Sequence, residues 1–195
     1  MTWIRMGIAL AALMTLAGTA RAQEGESRAI AKGRWSLAFS LPNGGGGQFG
    51  VWKMVSGRSN LGVNLGIGHD RETHTDGPDT LRSGRVLQSW TFSFEPNLEC
   101  YLSLKRDVSP FVFAALKGSY GWFEDGAFFK AHTRSATLRV GLGAEWTPLE
   151  SISIGGSTGI AWTESMTSYS EYGAPKDSDS SFNTLASALT LHLYF

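Results

Sequence analysis

Imidazole and carboxylate come closest together between His69 and Asp79, where His69-Asp70 and His74-x-Asp76 run beside Glu72 and Asp79. Side chains of these types at this density can hold a divalent cation or act as a general base in hydrolysis. The same stretch is rich in Gly, Asp and Thr and reads equally as a solvated outer loop, so no catalytic or metal-ligating residue is assigned to it. Gly44 to Gly47 is the one glycine run. It lies between two strand-like segments and no helix follows it, so no helix dipole is available for a phosphate; no cofactor is expected. The single cysteine, Cys100, excludes a disulfide framework or a cysteine metal cluster. It falls on an outward phase and reads as a small hydrophobe.

A second set of groups is spread along the chain and shares one face of successive strands. Lys53, Lys117 and Arg139 are expected to point inward together with Glu95, Glu99 and Glu145, joined by Tyr101 and His192. Opposite charges in a confined interior must pair or be solvated by trapped water. Three of each sign predict a salt-bridged network that fills the space. For Lys53 and Lys117 the phase is chosen to turn the ammonium inward, because charge at lipid depth costs roughly 2–4 kcal/mol. That choice leaves Trp52, Met54, Leu116, Tyr120 and Trp122 outward.

The elements that must carry these groups alternate with a period of two almost throughout. Trp35, Leu37, Phe39 and Leu41 alternate with Ser36, Ala38 and Ser40; Leu61 to Ile67 alternate with Gly62, Asn64 and Gly66. The same holds for Trp90 to Phe94, Leu138 to Trp146, Ile152 to Trp162 and Leu185 to Phe195. With two less regular segments, 48–55 and 111–123, the total is eight strands. Ser56–Asn60, Lys105–Ser109 and Thr147–Glu150 read as short turns. Pro42–Gly47, His69–Arg85, Glu124–Arg134 and Glu164–Ser181 read as the outer loops, mostly longer. Pro96 interrupts strand four, and a bulge there is the expected accommodation.

Composition bears on which solvent meets which face. Only 17% of the 195 residues are charged, while there are 24 glycines and seven tryptophans, and Lys+Arg equals Asp+Glu at 17 each. A nucleic-acid partner would call for a basic excess. A soluble exterior would carry more lysine and glutamate. The small-residue face suits the narrow interior of an eight-stranded barrel, and tryptophans near strand ends (Trp35, Trp52, Trp90, Trp122, Trp146, Trp162) suit interfacial girdles. A large aqueous channel is excluded at this strand number. Residues 1–22 read as a Sec-type signal peptide, with Arg5, an apolar stretch from Ile8 to Leu16, and Ala20-Arg21-Ala22 before the cut. Residues 23–32 read as a flexible periplasmic lead-in and 33–195 as the barrel.

With its final Leu189-Thr190-Leu191-His192-Leu193-Tyr194-Phe195, the chain resembles the small eight-stranded outer-membrane barrels of Gram-negative bacteria, the OmpA/OmpX type. The resemblance covers 33–195. It implies an all-β, eight-stranded antiparallel up-and-down transmembrane β-barrel in the bacterial outer membrane. In such families the last strand is the signal read by the assembly machinery, here Leu191, Leu193, Tyr194 and Phe195. It also implies outer-membrane lipids and lipopolysaccharide, the assembly machinery and periplasmic chaperones as partners, a monomer, and no nucleic acid. No peptidoglycan-binding domain is expected after Phe195. Function is expected in envelope structure or surface interaction, without enzymatic activity. The alternative is a lipid A-modifying enzyme using loop histidines. Against that, the His-x-Ser-Asn stretch of the deacylase family has only His132-Thr133-Arg134-Ser135 as its nearest counterpart, without the Asn.

Overall fold

The computed structural model describes residues 30–42, 46–76, 83–104, 108–125, 129–169 and 177–195; of 70–76, 83–87, 125 and 129 only the backbone is described. The strands are β1 (Trp35–Pro42), β2 (Gln48–Met54), β3 (Ser59–Asp76), β4 (Ser83–Tyr101), β5 (Val108–Asp125), β6 (Phe129–Leu149), β7 (Ile152–Tyr169) and β8 (Asp177–Tyr194). Each pairs antiparallel with its neighbour in sequence, and β8 returns to β1 through Leu37↔Leu193, Phe39↔Leu191 and Leu41↔Leu189. The result is a closed eight-stranded up-and-down barrel, which leaves no free edge wherever all eight strands are paired.

The period-two pattern sets its two faces. Leu37, Phe39, Leu65, Phe94, Ile160 and Leu191 are among the outward residues, and Leu142 on β6 is 61% exposed. The inner face carries Ser36, Ser40, Asn60, Asn64, Asn97 and Ser153, all buried. A water-soluble barrel puts its apolar residues inside; this one is reversed.

The strands are longer than the alternation alone suggests. β3 and β4 pair without interruption as far as Asp76↔Ser83, and β7 and β8 stay paired, across one register shift, as far as Thr167↔Asp177. Much of what reads as outer loop, including the His69–Asp76 run, is therefore strand. Polar sequence does not oppose this, because a hairpin wall standing in water can be polar on both faces. Pro96 needs no bulge. It faces Val63 in an unbroken β3–β4 register, and on the β5 side the register is the same before and after it, from Phe94↔Gly118 to Asn97↔Ala115. The register shifts lie elsewhere, at Trp146/Leu149 in the β6–β7 pair and at Gly159/Ala161 in the β7–β8 pair. At the second shift β8 spends one residue more than β7 between Ala186 and Asn183.

The mouth on the side of the chain termini is filled. Ile30 is 0% exposed and packs in a cluster with Met54, Tyr101, Leu104, Phe111, Phe113 and Tyr194. Gly33, at φ 90°, lets the chain turn from this plug into β1, and its N–H donates to the Met54 carbonyl at 2.8 Å. The lead-in of 23–32 thus ends inside the barrel mouth. Residues 1–22, expected to be a signal peptide, and 23–29 lie outside the described residues.

Candidate functional site in the barrel lumen

Above the apolar plug the inward phases bring together a compact polar network. Glu145 of β6 is its hub. Its carboxylate accepts hydrogen bonds from the Tyr101 hydroxyl (β4), the Ser153 hydroxyl (β7) and the Tyr194 hydroxyl (β8), the last at 2.6 Å. Glu99 accepts from Asn60 Nδ2 at 3.3 Å and from Tyr101 Oη at 3.4 Å. Higher up, Arg139 Nη2 meets Glu95 Oε1 at 2.6 Å, and its guanidinium lies 5.9 Å from the centroid of the Phe113 ring. Glu95 and Glu145 are each 1% exposed. A carboxylate so placed is held either by a cation or by several hydroxyl donors, and both solutions occur here.

Four of the six anticipated lumenal charges, Glu95, Glu99, Arg139 and Glu145, meet inside. Lys117 also faces the lumen, at a higher level, lining a cavity with Gln48, Thr91 and Ser93. Lys53 does not belong there. It points outward at the rim on the side of the chain termini, with Nζ 4.7 Å from the centroid of the Trp35 ring. Lipid-depth cost argued for turning it inward, but Lys53 pairs with Trp35 at the first rung of β1, where its ammonium reaches interfacial water. With Lys53 out, the phase of β2 reverses: Trp52 and Met54 are inside and buried. Trp52 lies over its cross-strand partner Gly62, where any Cβ would run into the indole, and it donates from Nε1 to Asn64 Oδ1 at 3.0 Å. Its edge meets His192 at 5.4 Å between centroids, and His192 Nδ1 lies 3.2 Å from Ser36 Oγ.

The balance inside is therefore different from three pairs. Among the described residues one ion pair, Arg139–Glu95, lies in the lumen; tyrosine, serine and asparagine satisfy the other two carboxylates. Tyr194, anticipated as part of the carboxy-terminal signal, is also a lumenal ligand of Glu145. Its three companions differ in place: Leu191 and Leu193 take the outward phase, while Phe195 is 67% exposed and exchanges backbone hydrogen bonds with Trp35 at 3.0 and 3.3 Å. Tyr101 belongs to the anticipated inward set, but the Ser153 and Tyr194 hydroxyls escape a reading centred on formal charge. The available signal was phase: Tyr101, Ser153 and Tyr194 all lie on inward positions near Glu145.

On the outer part of the wall, His69 makes a tilted ring contact with Trp90 at 4.3 Å between centroids, and Trp90 lies 6.3 Å from Trp122. His132 Nδ1 lies 3.0 Å from Tyr120 Oη, and Arg134 covers the same ring at 5.8 Å. The side chains of Asp70, Glu72, His74 and Asp76 lie outside the described residues. Among the described residues no group of three metal-ligating side chains occurs.

No family model matches the chain, and no curated protein matches it. Solved structures do. A major outer membrane protein from Thermus thermophilus is 14% identical, with 83% of this chain and 99% of that one covered and a TM-score of 0.45. Neisserial surface protein A is 10% identical over 83% and 94%, at 0.46. The N-terminal β-barrel domain of Pseudomonas aeruginosa OprF is 11% identical over 83% and 96%, at 0.47. The chain is similar to small outer-membrane barrels over most of its length. At such identities and scores the likeness is one of shape alone, and the eight-strand closure rests on the register itself.

Proposed function

We propose that this protein is an integral outer-membrane barrel, closed at its periplasmic end, that serves envelope structure or surface interaction through its extracellular strand extensions and loops. The observation that carries the reading is the continuous outward belt of large apolar side chains around a polar, hydrogen-bonded interior, bounded by Trp35 and Trp146 at one end and Trp90 and Trp122 at the other. Such a surface is stable against hydrocarbon and not in water. Residues 1–22 would direct export, and Leu191, Leu193, Tyr194 and Phe195 would present the last strand to the assembly machinery after delivery by periplasmic chaperones. Outer-membrane lipids and lipopolysaccharide would surround a monomer. The Ile30 plug and the Glu145 hub support a lumen without through-flow, and the reading assigns no catalytic role.

The test is expression of the full chain in a Gram-negative host. The expected product lacks 1–22, fractionates with the outer membrane and migrates differently on gels before and after boiling, as a closed barrel does. A soluble periplasmic product with no heat-dependent shift would refute the reading.

A further inference from the structure

Among the described residues the barrel wall has a gap. β1 ends at Pro42, opposite Ala188 of β8, and β2 begins at Gln48, opposite Gly66 of β3. Their neighbours continue, β3 to Asp76 and β8 up to Asp177, and β1 and β2 are what stands between them. Beyond the β1–β2 hairpin the β3 and β8 edges therefore border an opening in the side of the barrel. Unpaired strand edges are normally blunted. β8 does so with its extra residue opposite the Gly159/Ala161 shift, where Asn183 Oδ1 accepts from the Leu185 N–H at 3.0 Å.

On the membrane reading above, the opening starts within the apolar belt, because the outward Ile67, Phe182 and Leu185 border it. The rung that carries Gln48 and Gly66 continues through Ser93 to Ser119, and the outward girdle residues Trp90 and Trp122 lie beyond it toward the outer end. Its β8 border is apolar, with Leu185 70% and Phe182 64% exposed. Behind it lies a cavity of about 640 Å³. On β4 this cavity touches only inward residues, Ser89, Thr91 and Ser93. On β3 it touches four consecutive residues, Gly66 to His69, along the edge that β2 leaves unpaired beyond Gln48, with Gly46 and Gly47 at its lower border. Lys117 lines the cavity, no carboxylate does, and among the described residues Lys117 has no ion pair or hydrogen bond.

We propose that this opening is a lateral binding site for a single-chain anionic amphiphile of the outer leaflet. Its alkyl chain stays beside Ile67, Phe182 and Leu185, and its acidic head enters the lumen to meet Lys117 and the hydroxyls of Thr91 and Ser93. An apolar rim, a polar chamber and a cation that makes no ion pair among the described residues suit a molecule with one tail and one negative head. The inference rests on the membrane reading above, because the rim must face lipid.

The test uses the full mature protein in phosphatidylcholine nanodiscs with dodecanoic acid carrying a diazirine at its chain end, at a pH where the carboxyl is ionised. Photolabelling is expected to concentrate on peptides holding Gly66–His69 and Phe182–Leu185, and unlabelled dodecanoate should compete where dodecanol does not. K117Q should reduce site labelling about tenfold, the scale of a lost charge-assisted hydrogen bond, and K117R should restore it. G68F, whose Cβ would find nothing nearer than 3.7 Å, should fill the chamber and abolish site labelling while the heat-dependent gel shift persists. Labelling spread evenly around the belt, or unchanged in K117Q and G68F, would overturn the site and leave the membrane barrel standing. Failure of the protein to enter nanodiscs would overturn the membrane reading and the site with it.

Discussion

Adjacent residues on one strand of this protein live in different solvents, and Leu142 and Gly143 show it. Leu142 is exposed on the outer face, so L142R places a charge in lipid and should cost roughly 2–4 kcal/mol. A urea titration of folding into bilayers measures that cost, and a neutral outcome would reverse inside and outside. Gly143 faces the Phe111 ring, and an added Cβ would also lie 2.8 Å from the Gly156 carbonyl oxygen. G143L should cost about 1–3 kcal/mol by overpacking, with no dependence on lipid. The same titration read on the lumenal charges separates their two modes of support. R139A leaves Glu95 buried without its cation and should cost roughly 3–5 kcal/mol. E145Q is expected to cost less, because the amide oxygen still accepts from Tyr194 or Ser153 and no opposite charge is stranded. Equal losses would mean that Glu145 depends on ionisation as Glu95 does.

The last strand couples closure to sorting. β8 pairs with β1 from Ser36↔Tyr194 to Pro42↔Ala188, and Phe195 adds backbone hydrogen bonds to Trp35 just beyond the ladder. Deleting Phe195 removes those bonds and the terminal aromatic together. Yield in the outer membrane should fall, with the remainder recovered as periplasmic aggregate or degradation products; unchanged yield would count against the sorting role. The strands themselves were legible wherever a large residue alternated with a small one, as in β1, β3, β6 and the end of β8. β2 was the failure. Trp52 and Lys53 each suit either face, and a rule about charge in lipid chose wrongly because it carried no depth. Gly62 was the clue, since it leaves an empty space on the neighbouring strand that suits an indole.

As a whole molecule, the barrel is plugged at one end and open at the side near the other. Ile30 with Met54, Phe111 and Phe113 forms a dry stopper, and the Glu145 hub closes the lumen just above it. A refolded wild-type protein in a planar bilayer should therefore show no steady unitary current. Stable, large openings would refute the plug and revive a channel role. The lateral opening does not alter this expectation, because it joins the lumen to the leaflet and not to the periplasm.

Periodicity determined the strand number and, once composition decided which face meets lipid, the class, the outward belt and most inward residues, because on a strand the side-chain direction follows from parity and needs no partner. It also placed Glu95, Glu99, Arg139 and Glu145 on one face. Which of them pair was beyond it, since the Glu95–Arg139 and Tyr101–Glu145 contacts join strands whose relative shift only closure sets. The rim position of Lys53, the straight passage through Pro96, the burial of Ile30 and the gap above the β1–β2 hairpin were likewise decided in three dimensions. Each depends on where one strand stops relative to another, and local alternation carries no such length.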